Sequence, residues 1–477
     1  MLYFIALLEG FTTLAVQMVA LRLATPIVGS SIILTSVFIG IILLALSGGY
    51  YMGGIIASKY PPKKLRLLLA GFLTFSALYY GAITFLTQER LLERTLSTTG
   101  NYLFTLFFVA IVLFFLPVFV DAQTIPLLTE LLPEKSKGKA AGSMLFASTI
   151  GSFLGSVGTS IWLFESVGVR NTGIITCLLL LFCVVLLLRN HHRKRAWGVV
   201  GGTLLFTRIL WTVYHRSLVQ IGGLIYHHDS AYQEILIRNH TRKDGKPTRI
   251  FHTNRAFASG IYTDTKESPF DYLQEVMSIT DKIKPKRVLV IGTAGFTYPY
   301  QLSKLDYVEQ IDAVDIDGSI KEIAETYFLE EQLSPKIRFI PQSARYVVNQ
   351  AIKEGKSYDL ILLDAYNGKT LPDELATVEF FAGIKKLTSS EGVIANFILD
   401  SNLDSTLTTN LLTTRRSVFD DVWLKNVSNN PVNSFDNFIV TTHQADSFYT
   451  NFTTIGQLYT DDLRTTETDL AMMWWRE

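Results

Sequence analysis

The chain has little cysteine and little charge. Of its 477 residues only Cys177 and Cys183 are cysteine, and both fall in one apolar stretch. Neither a disulfide framework nor a cysteine-built zinc site is therefore available. Charged residues make up 18% of the chain, against about 25% in an ordinary soluble protein. The shortage has an address. Residues 1–215 hold 16 Lys/Arg and 7 Asp/Glu, whereas residues 216–477 hold 27 and 35. The formal net charge of +1 thus hides an apolar, basic first part and a polar, acidic second part long enough to bury its own core. A single soluble globule is excluded. So is a nucleic-acid binder of the usual basic kind, because the polar part is acidic.

The first part holds six stretches apolar enough to cross a bilayer, for which about 20 helical residues are needed: Phe4–Leu21, Ile32–Ala57, Leu67–Leu86, Tyr102–Val120, Ala140–Phe164 and Thr172–Leu188. The first is no cleaved signal peptide, since it lacks a basic start, carries Glu9 and runs on into further spans. A seventh stretch, Ala196–Tyr214, is interrupted by Gly201, Gly202 and Arg208. Basic residues cluster at Lys59–Arg66, Lys135–Lys139 and Arg189–Arg195, and not at Gln88–Gly100 or Glu165–Asn171. The positive-inside rule puts those three loops and the N-terminus in the cytoplasm. Six spans then leave the second part cytoplasmic, and a seventh would put it outside; the poor quality of Ala196–Tyr214 favours six. The expectation is a multi-pass protein of the cell (inner) membrane. Ala147, Gly151 and Gly155, with Ser148, Ser152 and Ser156, form a small-residue stripe at which a neighbouring helix can approach closely. Glu9, Gln17, Asp121 and Gln123 are polar at membrane depth. Asp121, between Pro117 and Pro126, reads either as part of a polar path or ligand site or as a residue paired inside the bundle.

From about residue 216 the pattern changes. Residues 216–283 read as a small β-rich segment, with strands at Gln233–Ile237, Arg249–Phe251 and Ser259–Tyr262, and an entry helix at Ser268–Ile283. Residues 284–477 alternate strands and helices, which gives a parallel sheet covered on both faces. The fold class expected is a multi-span α-helical membrane domain (1–215) followed by an α/β Rossmann-like domain of methyltransferase type with a small β-rich N-terminal segment.

Three strand ends in that sheet carry chemistry. Gly292-Thr293-Ala294-Gly295-Phe296 follows the strand Val288–Ile291, and a glycine turn there either lets backbone approach a ligand or is only a tight βα turn. Asp315 ends the next strand, where an acid can accept both ribose hydroxyls of a nucleoside. Its neighbours Asp312 and Asp317 read as solvated strand and turn residues. No GxGxxG loop is present, which favours a single nucleoside over a dinucleotide. Asp364 follows the buried run Leu360–Leu363 and emerges at the mouth of the sheet. It reads as a carboxylate that takes a proton from an amine or holds a cation, or else as a turn or cap residue. His227, His228, His240 and His252 lack ligand spacing, and no metal is implied.

Taken in order, Ala231-Tyr232-Gln233-Glu234-Ile235, the turn at Gly292–Phe296, Val314-Asp315-Ile316-Asp317, and Tyr358–Leu363 with Asp364-Ala365-Tyr366 resemble the spermidine synthase family of aminopropyltransferases. Gly49–Lys59, Pro126-Leu127-Leu128, Thr377–Phe380 and Tyr459–Asp462 resemble its membrane-fused branch. The resemblance implies a transferase of polyamine biosynthesis that moves an aminopropyl group from decarboxylated S-adenosylmethionine to an amine such as putrescine, with no prosthetic group. It implies that Asp364 is catalytic, and that Gln233, Gly292, Gly295, Asp315 and Ser343 line the donor site. Tyr232, Tyr366 and Asn367 would line the amine site. Positions where the family carries acids are Gly295, Ser343 and Asn367 here, and a family glutamine falls near Ala258. These departures keep a second reading open, an S-adenosylmethionine-dependent methyltransferase acting on an amine. A third is a non-catalytic transporter that senses a nucleoside or polyamine. The partners implied are an amine, a nucleoside sulfonium and the lipid bilayer, with a homodimer open and no nucleic acid.

Overall fold

The structure, a computed structural model, describes all residues except 29–31, 83–90, 92–93, 96–97, 100–101, 134–136, 189–192, 220–221, 243, 255, 367–370, 401–404, 428–435, 443–449, 452–455 and 463–477. It divides into two compact units, Met1–Ile221 with Asp229–Ala231, and Gly222–His228 with Tyr232–Glu477.

The first unit is helical. Among the described residues, six helices are long and apolar enough to cross a membrane: Leu2–Ala24, Leu34–Lys59, Pro62–Ala82, Leu103–Glu130, Lys137–Val167 and Val169–Leu188. They overlap all six stretches read from the sequence. The next helix, Arg193–Val219, is not among them. In the fourth, a π-helical turn at Ile111–Phe115 precedes Leu116–Ala122, which carries Pro117 at its start. Close approach of helices follows from missing side chains. A Cβ on Gly151 would stand 1.9 Å from the Leu7 carbonyl oxygen, and one on Gly155 would stand 2.2 Å from that of Phe11. The small-residue stripe therefore lies against the backbone of the first helix, and Ser152 Oγ donates to the Gly10 carbonyl at 3.3 Å. Such close packing gains dispersion energy, the kind of contact on which helix association in a bilayer would rely.

The second unit has two sheets. Strands β1 (Leu224–Asp229), β2 (Glu234–Thr241), β3 (Pro247–Thr253) and β4 (Ala256–Tyr262) lie side by side in that order, with β2–β3–β4 antiparallel. The larger sheet comprises β5 (Arg287–Ile291), β6 (Gln310–Asp315), β7 (Ile337–Pro341), β8 (Tyr358–Leu363), β9 (Thr388–Asp400), β10 (Trp423–Asn426), β11 (Asp436–Thr441) and β12 (Thr450–Asn451). Its order is β12-β10-β11-β9-β8-β5-β6-β7. The five strands β5 to β9 pair in parallel, while β11 and β10 add as an antiparallel pair. The near-continuous apolar runs of β5 and β8 follow from burial on both faces. One core, with Val288, Val290, Leu360 and Leu362, packs under the helix Asp271–Ile283. The other, with Leu289, Ile291, Ile361 and Leu363, packs under the helices Ala344–Lys353 and Val378–Leu387. The chain order reverses between β5 and β8, so the carboxyl ends of β5, β6 and β8 flank a switch point where such sheets bind ligands.

Two acids correct the sequence reading. Asp312 is fully buried, not solvated. Arg338 reaches it through Nε–Oδ1 at 2.9 Å and a terminal nitrogen to Oδ2 at 2.5 Å, and the Tyr358 hydroxyl donates at 2.7 Å from across β5. Burial alone would raise its carboxyl, but the Arg338 and Tyr358 hydrogen bonds hold it below the ordinary range. Asp317 is buried as well, because its Oδ1 accepts from the Ser319 backbone at 3.0 Å and hydroxyl at 2.6 Å. An acid two or three residues from a binding candidate looks solvent-facing only until its partners are known.

Candidate active site

The glycine turn is built around two positions where side chains do not fit. Gly292 has φ +87°, and a Cβ there would meet the Asp364 carbonyl oxygen at 2.1 Å. Only glycine gives both the left-handed backbone and the room. The turn after β5 therefore lies directly on the chain leaving β8. Backbone bonds fix the contact: Gly292 N donates to Val314 O at 2.9 Å, and Asp364 N donates to Ile291 O at 2.8 Å. A Cβ on Gly295 would stand 2.6 Å from the Phe328 ring, and Gly295 N donates to Ser259 Oγ of β4 at 3.1 Å.

Asp315 is half-buried at the end of β6. Its Oδ2 accepts from Thr293 N at 3.1 Å and Ala294 N at 3.4 Å, and its Oδ1 accepts from Asp317 N at 3.1 Å. The acid thus clamps the glycine turn itself. The two donors to Oδ2 occupy both of its lone pairs, while Oδ1 accepts once and keeps acceptor capacity for a ligand hydroxyl. Burial raises its carboxyl above the ordinary value against the pull of the Thr293 and Asp317 backbone bonds. Gln233 is brought to the same place, its Nε2 donating to Asp317 Oδ2 at 3.1 Å. Ser343 instead caps the helix Ala344–Lys353, its Oγ accepting from Tyr346 N at 3.3 Å. Tyr232 is exposed.

Asp364 stands half-buried directly after β8. Tyr272, in the first turn of the helix Asp271–Ile283, donates its hydroxyl to Asp364 Oδ2 at 3.0 Å. Burial pushes the Asp364 carboxyl up to about 7, and the Tyr272 hydrogen bond pulls the other way. Burial and the facing carboxylate push the Tyr272 phenol well above its ordinary value, so it stays a donor. A carboxyl poised near neutrality has the proton affinity that general-base chemistry wants. Tyr366 lies within electrostatic reach of Tyr272; Asn367 falls outside the described residues. Tyr272 and Ser259 were not singled out from sequence, because each sits in an amphipathic element as an ordinary core-facing position. The late motif at 459–462 returns to the helix Val378–Leu387: Val378 N donates to Tyr459 O at 2.9 Å, Thr377 Oγ1 donates to Asp461 at 2.8 Å, and Arg345 pairs with Asp461.

The family model of the spermine/spermidine synthase domain matches residues 271–443. A polyamine aminopropyltransferase of Vibrio vulnificus is 32% identical over 210 residues, covering 42% of this chain and 67% of that protein. The chain belongs to the spermine/spermidine synthase family. It is a transferase. The polyamine aminopropyltransferase 1 of Hyperthermus butylicus is similar at 24% identity, covering 37% of this chain and 61% of its own. Among solved structures, the spermidine synthase from Thermotoga maritima covers 54% of this chain and 88% of that one, at 18% identity and a TM-score of 0.38. The chain thus spans about two thirds of the Vibrio relative and rather less of the Hyperthermus one. In this spermidine synthase-like chain the matched region holds Gly292, Gly295, Asp315, Ser343 and Asp364 and begins at the helix that supplies Tyr272.

Proposed function

We propose that the chain transfers an aminopropyl group from decarboxylated S-adenosylmethionine to an amine such as putrescine. The observation that carries the reading is Asp364, with its carboxyl near neutrality, set on the same backbone contact as the glycine turn. In the reaction an amine nitrogen lone pair attacks the carbon bonded to the sulfonium. A C–N bond forms, the C–S bond breaks, and its electron pair leaves with sulfur as a neutral thioether nucleoside. The proton on the new ammonium passes to Asp364. Tyr272 holds that carboxylate in place, and Asp315, Gln233 and the glycine-turn backbone hold the nucleoside. Positioning supplies most of the acceleration, since no covalent enzyme intermediate is needed.

The transfer is tested with full-length protein in detergent, given decarboxylated S-adenosylmethionine and putrescine, with products read by mass spectrometry. Spermidine and methylthioadenosine in equal amounts are expected. The second reading, methyl transfer from S-adenosylmethionine to an amine, is favoured by Gly295, Ser343 and Asn367, which stand where the family carries acids. A methylated amine formed with S-adenosylmethionine and no product with the decarboxylated donor would establish it instead.

The six apolar helices support a membrane anchor with the α/β unit on the cytoplasmic side. The three basic loops set the orientation, and Arg193–Val219 stays out of the count of spans. A cysteine at the exposed Lys286, with Cys177 and Cys183 replaced, should resist a membrane-impermeant thiol reagent in intact cells and react after lysis. Labelling before lysis would put the unit outside.

A further inference from the structure

We propose that the α/β unit holds a small monovalent anion against the guanidinium of Arg415. This residue lies in the last turn of the helix Thr406–Arg416 and is 1% exposed. One terminal nitrogen donates to the Ile394 carbonyl of β9 at 2.9 Å. That carbonyl also accepts from Thr442 N at 3.2 Å, which uses both its lone pairs. Nε and the second terminal nitrogen of Arg415 are enclosed and have no hydrogen-bond partner. The Phe419 ring centroid lies 5.7 Å from the guanidinium carbon, and Phe419 belongs to the apolar core that includes Ile394, Leu411, Leu412 and Val440. Lys385 reaches the same ring at 5.7 Å from an exposed position, where solvent meets its charge. Among the described residues no carboxylate pairs with Arg415 or contributes to its charge balance.

A buried carboxyl can lose its charge by taking up a proton. A guanidinium stays protonated in a protein, so its charge must be met by another group. Left alone in a core it keeps the full cost of leaving water, and each unmet N–H adds to that cost. The face of Phe419 attracts the charge but fills neither of the free nitrogens. A water molecule would accept those hydrogens and leave the charge standing. An anion meets both demands. One positive charge calls for one negative charge, since a divalent ion would leave a net charge in the same apolar surround. The enclosure calls for a small ion, of the size of chloride or formate. Nothing in this site depends on the transfer chemistry.

The probe is chloride, and the sample is full-length protein in neutral detergent. Gel filtration moves it into sodium gluconate, whose anion is too bulky for an enclosed site. One portion is denatured in urea for ion chromatography. In the other, the melting temperature is followed as chloride replaces gluconate at fixed ionic strength. Expected is one equivalent of a small monovalent anion released on denaturation, or a melting temperature that climbs with chloride as a bound ligand requires. Arg415→Met should abolish whichever is seen. Arg415→Lys keeps the charge with fewer donors and should need at least tenfold more chloride for the same stabilisation. Neither a retained anion nor a chloride-dependent melting temperature in the wild type overturns the site and leaves the unmet N–H groups to water. An equal response in Arg415→Met overturns it too, by placing the ion elsewhere. Should Arg415→Met not fold, Arg415→Lys carries the comparison, and an unchanged chloride requirement refutes the site.

Discussion

Replacing Tyr272 by phenylalanine removes one hydrogen-bond donor from Asp364 and little else. The hydroxyl donates to Oδ2 at 3.0 Å and favours the ionised carboxylate, opposing the burial that lifts the group to about 7. A hydrogen bond to a charged group is worth about 1.5–3 kcal/mol. At about 1.4 kcal/mol per pH unit, its loss should raise the carboxyl by about one to two units. The rising limb of kcat/KM against pH should therefore move from near 7 to about 8–9. Initial rates of methylthioadenosine release between pH 5.5 and 9.5 give the profile. The amine's own deprotonation contributes equally to both proteins, so the difference between them isolates the enzyme. A folded Tyr272→Phe protein whose limb stays in place would refute Asp364 as the proton acceptor.

The same carboxyl makes a prediction about stability. Its folded value lies above that of a free aspartate, so its contribution is fully present below about pH 4 and lost as pH rises through about 7. Asp364→Asn should raise the melting temperature at pH 8–9 relative to wild type, with an upper bound of about 4 kcal/mol, while turnover falls by about 10²–10⁴; an unchanged melting temperature would mean the group is not desolvated. Asp315→Ala should weaken methylthioadenosine in calorimetry by about 1.5–3 kcal/mol, and unaltered affinity would remove Asp315 from the nucleoside site. Gly292→Ala should abolish activity and lower the melting temperature, since backbone strain of about 1–3 kcal/mol adds to the collision with Asp364; a stable, active variant would contradict the geometry. Gly155→Leu should prevent a monodisperse helical unit in size-exclusion chromatography, because the Phe11 backbone occupies that space.

Much of the fold was legible because two signals are local. Apolar runs such as Ile32–Ala57 show their length directly, and a buried run ending in an acid, as at Leu360–Asp364, marks both a strand and the place where it emerges. The partners of those acids were not legible. Tyr272 and Asp364 are 92 positions apart, and Tyr272 looks like any apolar-face residue of an amphipathic helix. Asp312 reads as solvent-facing because nothing near it in sequence announces Arg338 on the next strand or Tyr358 beyond the one on its other side. Asp315 was legible as a site candidate. That its carboxylate also fastens the turn at Thr293 and Ala294 depends on how closely β5 and β6 end together, which sequence does not record.

The contact between Gly292 and Asp364 has a consequence for binding order. A nucleoside resting on the turn and an amine resting on the carboxylate press on two sides of one piece of backbone. On the proposed function, any coupling carried by that backbone must be reciprocal: whatever factor the nucleoside adds to amine affinity, the amine adds to nucleoside affinity. Enlarging residue 292 would strike at that shared factor before it struck either affinity alone. The two substrates are expected to behave as a thermodynamic pair, with apparent constants that cannot be quoted separately.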